Sequence, residues 1–290
     1  MNIYNLPLWV IKPLSLIGRY FPKQVVNLRY FRQNKIWINW KHPNNLHQYT
    51  ICQYFRPDTD LQLLGQLADK VRVRDFVKDR IGEQFLTKLY GVYDSASEID
   101  FDSLPEQCVL KTNNGCGNNI IIRNKKQLSN RQKMKDLLDR WLRFPYGDLT
   151  GQVHYSYIKP QILAEEYLEQ SAVKDILPYD YKFFCYKGKP LCVLYYEGRS
   201  QNGHLTPNML FDMDWKPMKE AIKRPITHPI PKPVSFEMMK KCVTSLATGF
   251  DFVRVDFYEI KGCPIFGEMT FTPDISINMR DNFNPLAGLV

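Results

Sequence analysis

The chain has 290 residues, of which 44% are hydrophobic and 24% are charged, and it carries a formal net charge of +9. This composition is typical of a soluble globular protein with one large domain or two modest ones, and it excludes a collagen-like or low-complexity chain. Seven cysteines occur singly without any C-x-x-C pair, which argues against a disulfide framework or a zinc site and favours reduced thiols in the cytoplasm. The positive charge favours an acidic partner, but no RNP-like motif or basic arm indicates nucleic acid.

The N-terminal segment is apolar and aromatic, but it is too short to span a membrane and is interrupted by Lys12 and Pro13. It lacks the basic leading region and cleavage site of a signal peptide. It could pack on the protein's own core, or it could lie on a membrane surface with its aromatic residues at the headgroup level. Residues 1–60 are rich in Asn and Pro, and we predict that they are irregular.

Further along the chain, apolar residues recur at helical spacing after Leu61, Arg72, Ser129 and Ser235. Ser129 opens a capping-box pattern, and Ser235 is placed to cap the last of these four predicted helices. Alternating apolar residues predict strands over 107–111, 119–123, 161–168, 181–186, 191–196, 252–260 and 264–271. Because antiparallel hairpins are mixed with helices, the pattern indicates an α+β fold rather than a doubly wound parallel sheet.

The last two strands carry the most informative pattern, FVRVDFYEIKGCPIFGEMTF. With a three-residue loop at 261–263, Asp256 faces Glu268 and Arg254 faces Thr270, all on one side of the hairpin. Two carboxylates at about 4 Å repel by roughly 1–4 kcal/mol for an effective dielectric of 80 to 20, and a divalent cation would turn that repulsion into binding. The alternative is an amphipathic hairpin whose acidic side chains simply face water.

The segment VLKTNNGCGNNIII places Lys111 at a strand end, before a loop that contains Gly115 and Gly117. Backbone N–H groups of such a loop can cradle phosphate oxygens, and the lysine adds a point charge. It is not a Walker A loop, because the lysine precedes the glycines. An ordinary Gly-Asn hairpin turn fits the same residues.

Three more candidates are ambiguous when taken singly. The strand in ILAEEYLE could present backbone and glutamate groups to an adenine, or be an edge strand with solvated acids. Asp180 could bind a ribose hydroxyl or cap a turn. Lys70 could bind phosphate or be a solvated helix charge.

The order of these segments resembles the ATP-grasp superfamily, and more closely the TupA-like ATP-grasp family of bacterial surface-polysaccharide proteins. The resemblance spans about residues 68–273 and is carried by ADKVRVRDFVKDRIGEQFLTKLYGVYDS, LPEQCVLKTNNGCGNN, ILAEEYLE, DYKFFCYKGKP and FVRVDFYEIKGCPIFGEMTFTP. Two positions depart from the pattern. Thr270 stands where many ATP-grasp enzymes have the Asn of an ExN motif, and TPDISINMR follows where a glycine-rich turn is common.

The resemblance implies two α+β subdomains that hold ATP between them, with an N-terminal region over 1–64, an ATP-grasp domain over 65–290 and a lid at about 84–165. It also implies a role for each candidate. The ATP phosphates would be contacted by Lys70 and Lys111 beneath Gly115 and Gly117, the adenine by Glu165, Glu166 and Leu168, and the ribose by Asp180. Mg²⁺ would be held by Asp256, Glu268 and, more weakly, Thr270, while Arg254 and Lys111 would act in catalysis.

The activity implied by the resemblance is ATP-dependent carboxylate–amine ligation through an acylphosphate. The implied partners are an acidic sugar or polysaccharide acceptor and an amine, either an amino acid or an amino alcohol, with ATP and Mg²⁺ as cofactors. We expect a cytoplasmic protein, at the inner face of the membrane if the N-terminus docks there. The alternatives are a glycosyltransferase or phosphotransferase of the same pathway, for which Asp58-Thr59-Asp60 has DxD spacing, and a non-catalytic ATP-binding assembly protein.

Overall fold

The structure is a computed structural model that describes residues 6–128, 130–169, 177–197, 208–273 and Pro285, without the side chains of Leu8 and Gln127. Its α-helices in these residues are α1 (Leu8–Tyr20), α2 (Pro22–Asn34), α3 (Leu46–Tyr54), α4 (Leu61–Ala68), α5 (Val73–Ile81), α6 (Arg131–Leu142), α7 (Tyr146–Thr150) and α8 (Phe236–Ala247). Its strands are β1 (Leu89–Tyr93), β2 (Cys108–Thr112), β3 (Asn119–Ile122), β4 (Ile162–Glu166), β5 (Asp180–Tyr186), β6 (Lys189–Tyr196), β7 (Asn208–Phe211), β8 (Phe252–Ile260) and β9 (Cys263–Thr270).

The chain forms two compact units, each assembled from segments that are separated in sequence. The first unit comprises Met1–Trp37, Asp60–Arg74 and Thr87–Tyr167, and the second comprises Ile38–Thr59, Asp75–Leu86 and Leu168–Val290. Each unit contains one antiparallel sheet, and helices and sheets together give the α+β fold that the sequence predicts. The division at residues 64 and 65 and the lid at 84–165 stay predictions.

The sheet of the first unit has the strand order β1-β4-β2-β3. One face carries Cys108, Leu110, Ile162 and Ala164, which form an apolar core with Leu138 of α6. Because successive side chains alternate across a strand, the opposite face receives the residues in between. This opposite face therefore presents both an apolar surface and the two charged candidates of β2 and β4.

The sheet of the second unit has the order β7-β6-β5-β8-β9, so β5 is its central strand and is buried along its whole length. Phe183 of β5 stacks on Phe236 of α8, with ring centroids 5.9 Å apart. Met239, Val243 and Leu246 are buried on the same helix, at the helical spacing that the sequence shows. This packing covers one face of the sheet and leaves part of the other face to polar side chains.

The prediction that residues 1–60 are irregular is wrong, because α1, α2 and α3 lie there. The Pro and Asn residues that indicated loops mark helix starts. Pro22 occupies the first turn of α2, where its missing N–H has no intrahelical partner, and the Asn45 side chain caps α3 by accepting from the Gln48 N–H. No helix in the described part of the chain combines the length and the apolarity that a bilayer crossing requires.

Three other helix starts differ in how they are capped. Ser129, which opened the predicted capping box, lies outside the described residues, and Asn130 caps α6. Ser235 does precede α8, but its hydroxyl donates to Glu259 at 2.6 Å instead of accepting from the helix. Asp60 caps α4 by accepting from the Leu63 N–H, as its place before a leucine-rich helix predicts.

The β8–β9 hairpin has the predicted pairs, but its loop is shorter than predicted. The turn consists of Lys261 and Gly262, both at positive φ, as expected of a tight two-residue hairpin turn. A bulge at Gly267 adds one residue to β9 and restores the pairing of Asp256 with Glu268 and of Arg254 with Thr270. The shorter loop and the bulge therefore cancel in the register.

Candidate active site

Three buried asparagines anchor the base of the glycine loop between β2 and β3. Asn113 donates to Asp69 at 2.9 Å and accepts from the Gln161 N–H at 2.7 Å. Asn114 donates to the carbonyls of Trp141 and Leu142 at the end of α6, and Asn118 donates to Thr112. The loop base is therefore fixed by side-chain hydrogen bonds.

The tip of this loop is open. Cys116 and Gly117 are exposed, Gly117 has a φ of +77°, and an added Cβ there would meet no atom within 4 Å. Lys70 reaches the same loop, where its ammonium donates to the Gly115 carbonyl at 2.8 Å. A cation, a positive-φ glycine and a fixed loop base are thus assembled in one place, which suits an anionic ligand.

The Lys111 side chain, near the end of β2, is paired and does not extend freely into solvent. Its ammonium forms an ion pair with the buried carboxylate of Glu165 on β4, and Glu165 also accepts from the Thr87 hydroxyl at 3.3 Å. Lys111 is therefore held in place by the structure around it before any ligand binds. Removing Lys111 would leave a buried carboxylate with only a hydroxyl partner.

The two glutamates of ILAEEYLE occupy opposite faces of β4. Glu166 is exposed and accepts from the Lys88 N–H at 3.3 Å, whereas Glu165 is buried on the face of Lys111. Leu168 follows β4, is half-buried and belongs to the second unit. Of the two glutamates, Glu165 shares its face with another candidate residue.

In the second unit, the candidate residues form one ion-paired cluster on the sheet. Arg254 grips Asp256 with two hydrogen bonds, from Nε at 2.7 Å and from Nη2 at 2.8 Å. The same Nη2 donates to Glu268 at 2.6 Å and to Thr270 at 3.0 Å. The guanidinium thus bridges the two opposed carboxylates that the hairpin register predicts.

This cluster is buried at one end and open at the other. Asp256 is 1% exposed, and the Arg254 side chain is 12% exposed, whereas the Glu268 side chain is 38% exposed. Burial opposes the charged form of Arg254, but the carboxylates of Asp256 and Glu268 outweigh it and raise the pKa of Arg254 above its ordinary value. The guanidinium is therefore a permanent cation at this site.

Lys182 is the member of the cluster to which sequence reasoning assigned no role. It lies directly opposite Asp256 in the β5–β8 ladder, and its ammonium contacts Asp256 at 2.5 Å and Asp180 at 3.5 Å. All three side chains are buried. The pairing of β5 with β8 joins residues about seventy positions apart, so no local pattern could have revealed this contact.

A model of the family described as TupA-like ATPgrasp matches residues 51–285 of this chain. The chain belongs to the TupA-like ATP-grasp family. A search of curated proteins gave no match. Among solved structures, an L-amino acid ligase from Bacillus licheniformis is similar over 91% of this chain and 57% of its own, with 12% identity and a TM-score of 0.52. A D-alanine–D-alanine ligase from Bacillus anthracis is similar over 93% of this chain and 83% of its own, with 12% identity and a TM-score of 0.44.

These comparisons confirm the fold prediction, and their limits are also clear. The chain has the ATP-grasp fold, with mixed helices and two antiparallel sheets. At 12% identity, the likeness to the Bacillus licheniformis structure concerns the fold alone, and this chain spans 57% of that protein's length. The match of the family model begins at residue 51, so α1 and α2 lie outside it.

The second unit of this TupA-like chain has side chains that fit a magnesium ion. Asp256 and Glu268 supply carboxylate oxygens and Thr270 a hydroxyl on one face, and a cationic group already lies between the two acids. Within the described residues, no group of three or more His, Cys, Asp or Glu side chains is placed to hold a metal. Since Mg²⁺ is commonly bound by one or two carboxylates with substrate phosphates, a two-carboxylate site fits a metal that arrives with a nucleotide.

The predicted site residues thus fall into two groups. Lys70, Lys111, Gly115, Gly117, Glu165 and Glu166 belong to the first unit, and Leu168, Asp180, Arg254, Asp256, Glu268 and Thr270 to the second. Most of TPDISINMR, from Asp274 onward, lies outside the described residues. The asparagines that anchor the glycine loop were also missed, because their partners Asp69, Trp141 and Leu142 are distant in sequence.

Proposed function

We propose that this protein is an ATP-dependent carboxylate–amine ligase. The observation that carries the proposal is the cluster of Arg254, Asp256, Glu268 and Thr270 on one sheet face, in a chain whose residues 51–285 match an ATP-grasp family. Phosphoryl transfer needs positioning and charge neutralisation more than covalent chemistry by the protein. A cluster of fixed charges is suited to that task.

The nucleotide would be held by the candidates of the first unit together with Leu168 and Asp180 of the second. Lys70 and Lys111 would contact phosphate oxygens, and the N–H groups around Gly115 and Gly117 would surround them. Glu165, Glu166 and Leu168 would contact the adenine, and Asp180 the ribose. Lys111 would leave Glu165 to contact a phosphate, and until a nucleotide binds the Lys111–Glu165 pair would keep the lysine positioned.

The residues of the second unit would act on the transferred group. Asp256 and Glu268, with Thr270, would hold Mg²⁺, which neutralises charge on the triphosphate. Arg254 would stabilise the charge of the transferring phosphoryl group. The substrate carboxylate is already ionised at neutral pH, so no base is needed for its attack on the γ-phosphorus, which expels ADP. An amine then attacks the acyl carbon and phosphate leaves.

The finer part of the proposal concerns the substrates. We propose an acidic sugar or a uronic-acid-containing surface polysaccharide as the carboxylate, and an amino acid or amino alcohol as the amine. The TupA-like resemblance supports this choice. The DxD sequence does not support the glycosyltransferase alternative, because the Asp60 side chain caps α4.

The test is ADP release by the full chain with ATP and Mg²⁺, over a panel of uronic acids and amines. We expect release that requires both an acid and an amine, and an amide product of the corresponding mass. The Asp256→Asn variant provides the control for contaminating ATPases. ATP binding without ADP release from any pair would contradict ligation and support the non-catalytic alternative.

A further inference from the structure

The positive charge of the chain is concentrated at its N-terminus. Residues 1–57 contain eight Lys or Arg and no Asp or Glu, so they carry a formal charge of +8 out of the total of +9. The first acidic residue is Asp58. The remainder of the chain is therefore close to neutral, and an anionic partner would be attracted to the N-terminal segment in particular.

Helix α1 uses only one side to pack against its own unit. Ile11 and Gly18 are buried, and Ser15 donates to Asp148 of α7 at 2.6 Å. Gly18 lies so close to the Asp148 carbonyl that a Cβ there would be 1.9 Å from its oxygen. These residues are spaced by four and three, so they define one face of the helix.

The opposite side of α1 is apolar and exposed. Trp9, Leu16 and Tyr20 are 77%, 55% and 73% exposed, and their spacing places them on one stripe turned away from the packed face. Ile17 and Leu14 are also exposed, between this stripe and the packed face. A surface helix normally presents polar residues there, so this stripe indicates a second apolar environment.

The residues that follow continue the same composition. Phe21, Leu28, Ile36 and Trp37 are each at least half exposed. Exposed basic residues accompany them along α1, α2 and the segment after α2, namely Lys12, Arg19, Lys23, Arg32 and Lys35. An exposed apolar stripe with aromatic residues and flanking cations is the pattern of a helix that lies in a membrane interface.

We propose that α1, together with α2, docks this protein on the surface of an anionic phospholipid bilayer. The charges favour a bilayer over a second copy of the chain. Residues 1–37 carry six basic and no acidic residues, so two copies docked through this segment would repel each other. The aliphatic side chains select it over an acidic glycan, because Leu16 and Ile17 gain from entering hydrocarbon and not from a hydrated polymer. This docking does not depend on the proposed ligase activity.

The experiment is co-sedimentation of the full chain with vesicles of phosphatidylcholine alone, or of phosphatidylcholine mixed with phosphatidylglycerol. We expect binding to the mixed vesicles that weakens as salt is added, and much weaker binding to phosphatidylcholine alone. Analytical ultracentrifugation without vesicles measures self-association in parallel.

Two variants separate the apolar from the charged contribution. Trp9→Ser/Leu16→Ser/Tyr20→Ser removes the stripe without changing the charge, and its matched control, Tyr157→Ser/Val234→Ser/Met238→Ser, changes three exposed apolar residues elsewhere. Lys12→Glu/Lys23→Glu reverses two charges, with Lys126→Glu/Lys261→Glu as a control of equal net charge. We expect the stripe variant to lose binding and the charge variant to lose on the order of 10-fold or more, since each basic residue near an anionic surface contributes a factor of about five. Neither control should lose binding.

Three outcomes would overturn the proposal. The first is equal binding to both vesicle types, the second is equal binding by the stripe variant and its control, and the third is absence of binding to the mixed vesicles by the unmodified chain. Self-association that the stripe variant abolishes, in a chain that ignores vesicles, would assign the surface to an interface between copies. Circular dichroism verifies folding, and Trp9→Ser/Tyr20→Ser replaces the triple variant if that variant does not fold.

Discussion

The two units position their candidate residues in opposite ways. In the first unit, a loop with an exposed tip is anchored by hydrogen bonds from the neutral side-chain amides of Asn113, Asn114 and Asn118, of which Asn113 donates to the Asp69 carboxylate. In the second unit, three carboxylates and two cations are locked together on adjacent strands, and Asp180, Lys182 and Asp256 are buried. One arrangement can adjust to a ligand, and the other is organised before any ligand arrives.

This difference predicts different costs of substitution. A hydrogen bond from a neutral amide contributes about 1 kcal/mol, or about 1.5–3 kcal/mol where its acceptor is a carboxylate, and an exposed loop tip tolerates change. A buried charge that loses its partner costs much more, because the remaining ion stays in a poorly solvated place. The second unit should therefore lose stability and function together, whereas the first should lose function with smaller effects on stability.

The largest effect is expected for Asp256→Asn. The change leaves Arg254 and Lys182 without the carboxylate that both contact, so we expect a loss of about 3–5 kcal/mol in unfolding free energy. Turnover should fall by on the order of 10²-fold or more, the scale for one preorganised charge contact. Urea unfolding and ADP release measure the two effects.

The matched control for this variant is Asp251→Asn. Asp251 belongs to the same unit and forms an ion pair with Arg56 at 2.9 Å, but both side chains are largely exposed. Such a surface pair contributes at most about 1 kcal/mol. Equal losses in the two variants would show that burial of the cluster does not matter.

Acid should weaken the first unit through His154. This side chain is buried, and burial lowers its pKa from the ordinary 6.5 to about 3. Between pH 6.5 and pH 3, His154 therefore binds a proton in the unfolded chain but not in the folded chain. The free energy of unfolding falls as pH drops below 6.5, by about 2 kcal/mol at pH 5. His154→Gln should flatten this part of the pH dependence of urea unfolding.

The exposed His42 supplies the comparison for this measurement. His42→Gln should leave the pH dependence of urea unfolding as it is, since the His42 side chain is exposed in the folded chain. If His154→Gln and the unmodified chain lose stability in parallel between pH 7 and pH 5, the carboxylates and not His154 control the acid response.

A contact can be predicted from the sequence when its two residues are close along the chain, and not when they are far apart. The pairing of Asp256 with Glu268 was predictable because a short turn joins β8 and β9, although the turn and the bulge were misjudged. The contact of Lys182 with Asp256 was not predictable, because it depends on the pairing of β5 with β8. Residues 1–60 were misjudged because Pro22 and Asn45 begin helices rather than loops.

Lys111 offers a smaller and more informative test. Lys111→Met should weaken ATP binding and also cost about 1–3 kcal/mol of stability, since the buried Glu165 carboxylate keeps only the Thr87 hydroxyl. Adding Glu165→Gln should restore stability, because the buried carboxylate is gone, without restoring ATP binding. Urea unfolding and nucleotide titration distinguish the two results, and a double variant that recovers both would indicate that Lys111 has a purely structural role.

The smallest effect on stability is expected for Gly117→Ala, for which the chain provides its own control. Gly117 and Gly249 both have positive φ, at +77° and +97°, and a Cβ would meet nothing within 4 Å of either. Each alanine variant should therefore lose about 1 kcal/mol from backbone strain alone. Only Gly117→Ala should raise the KM for ATP, because only there would the methyl group occupy the space that we assign to phosphate. Equal ATP dependence in both variants would place the nucleotide elsewhere, while leaving the carboxylate cluster of the second unit available for another ligand.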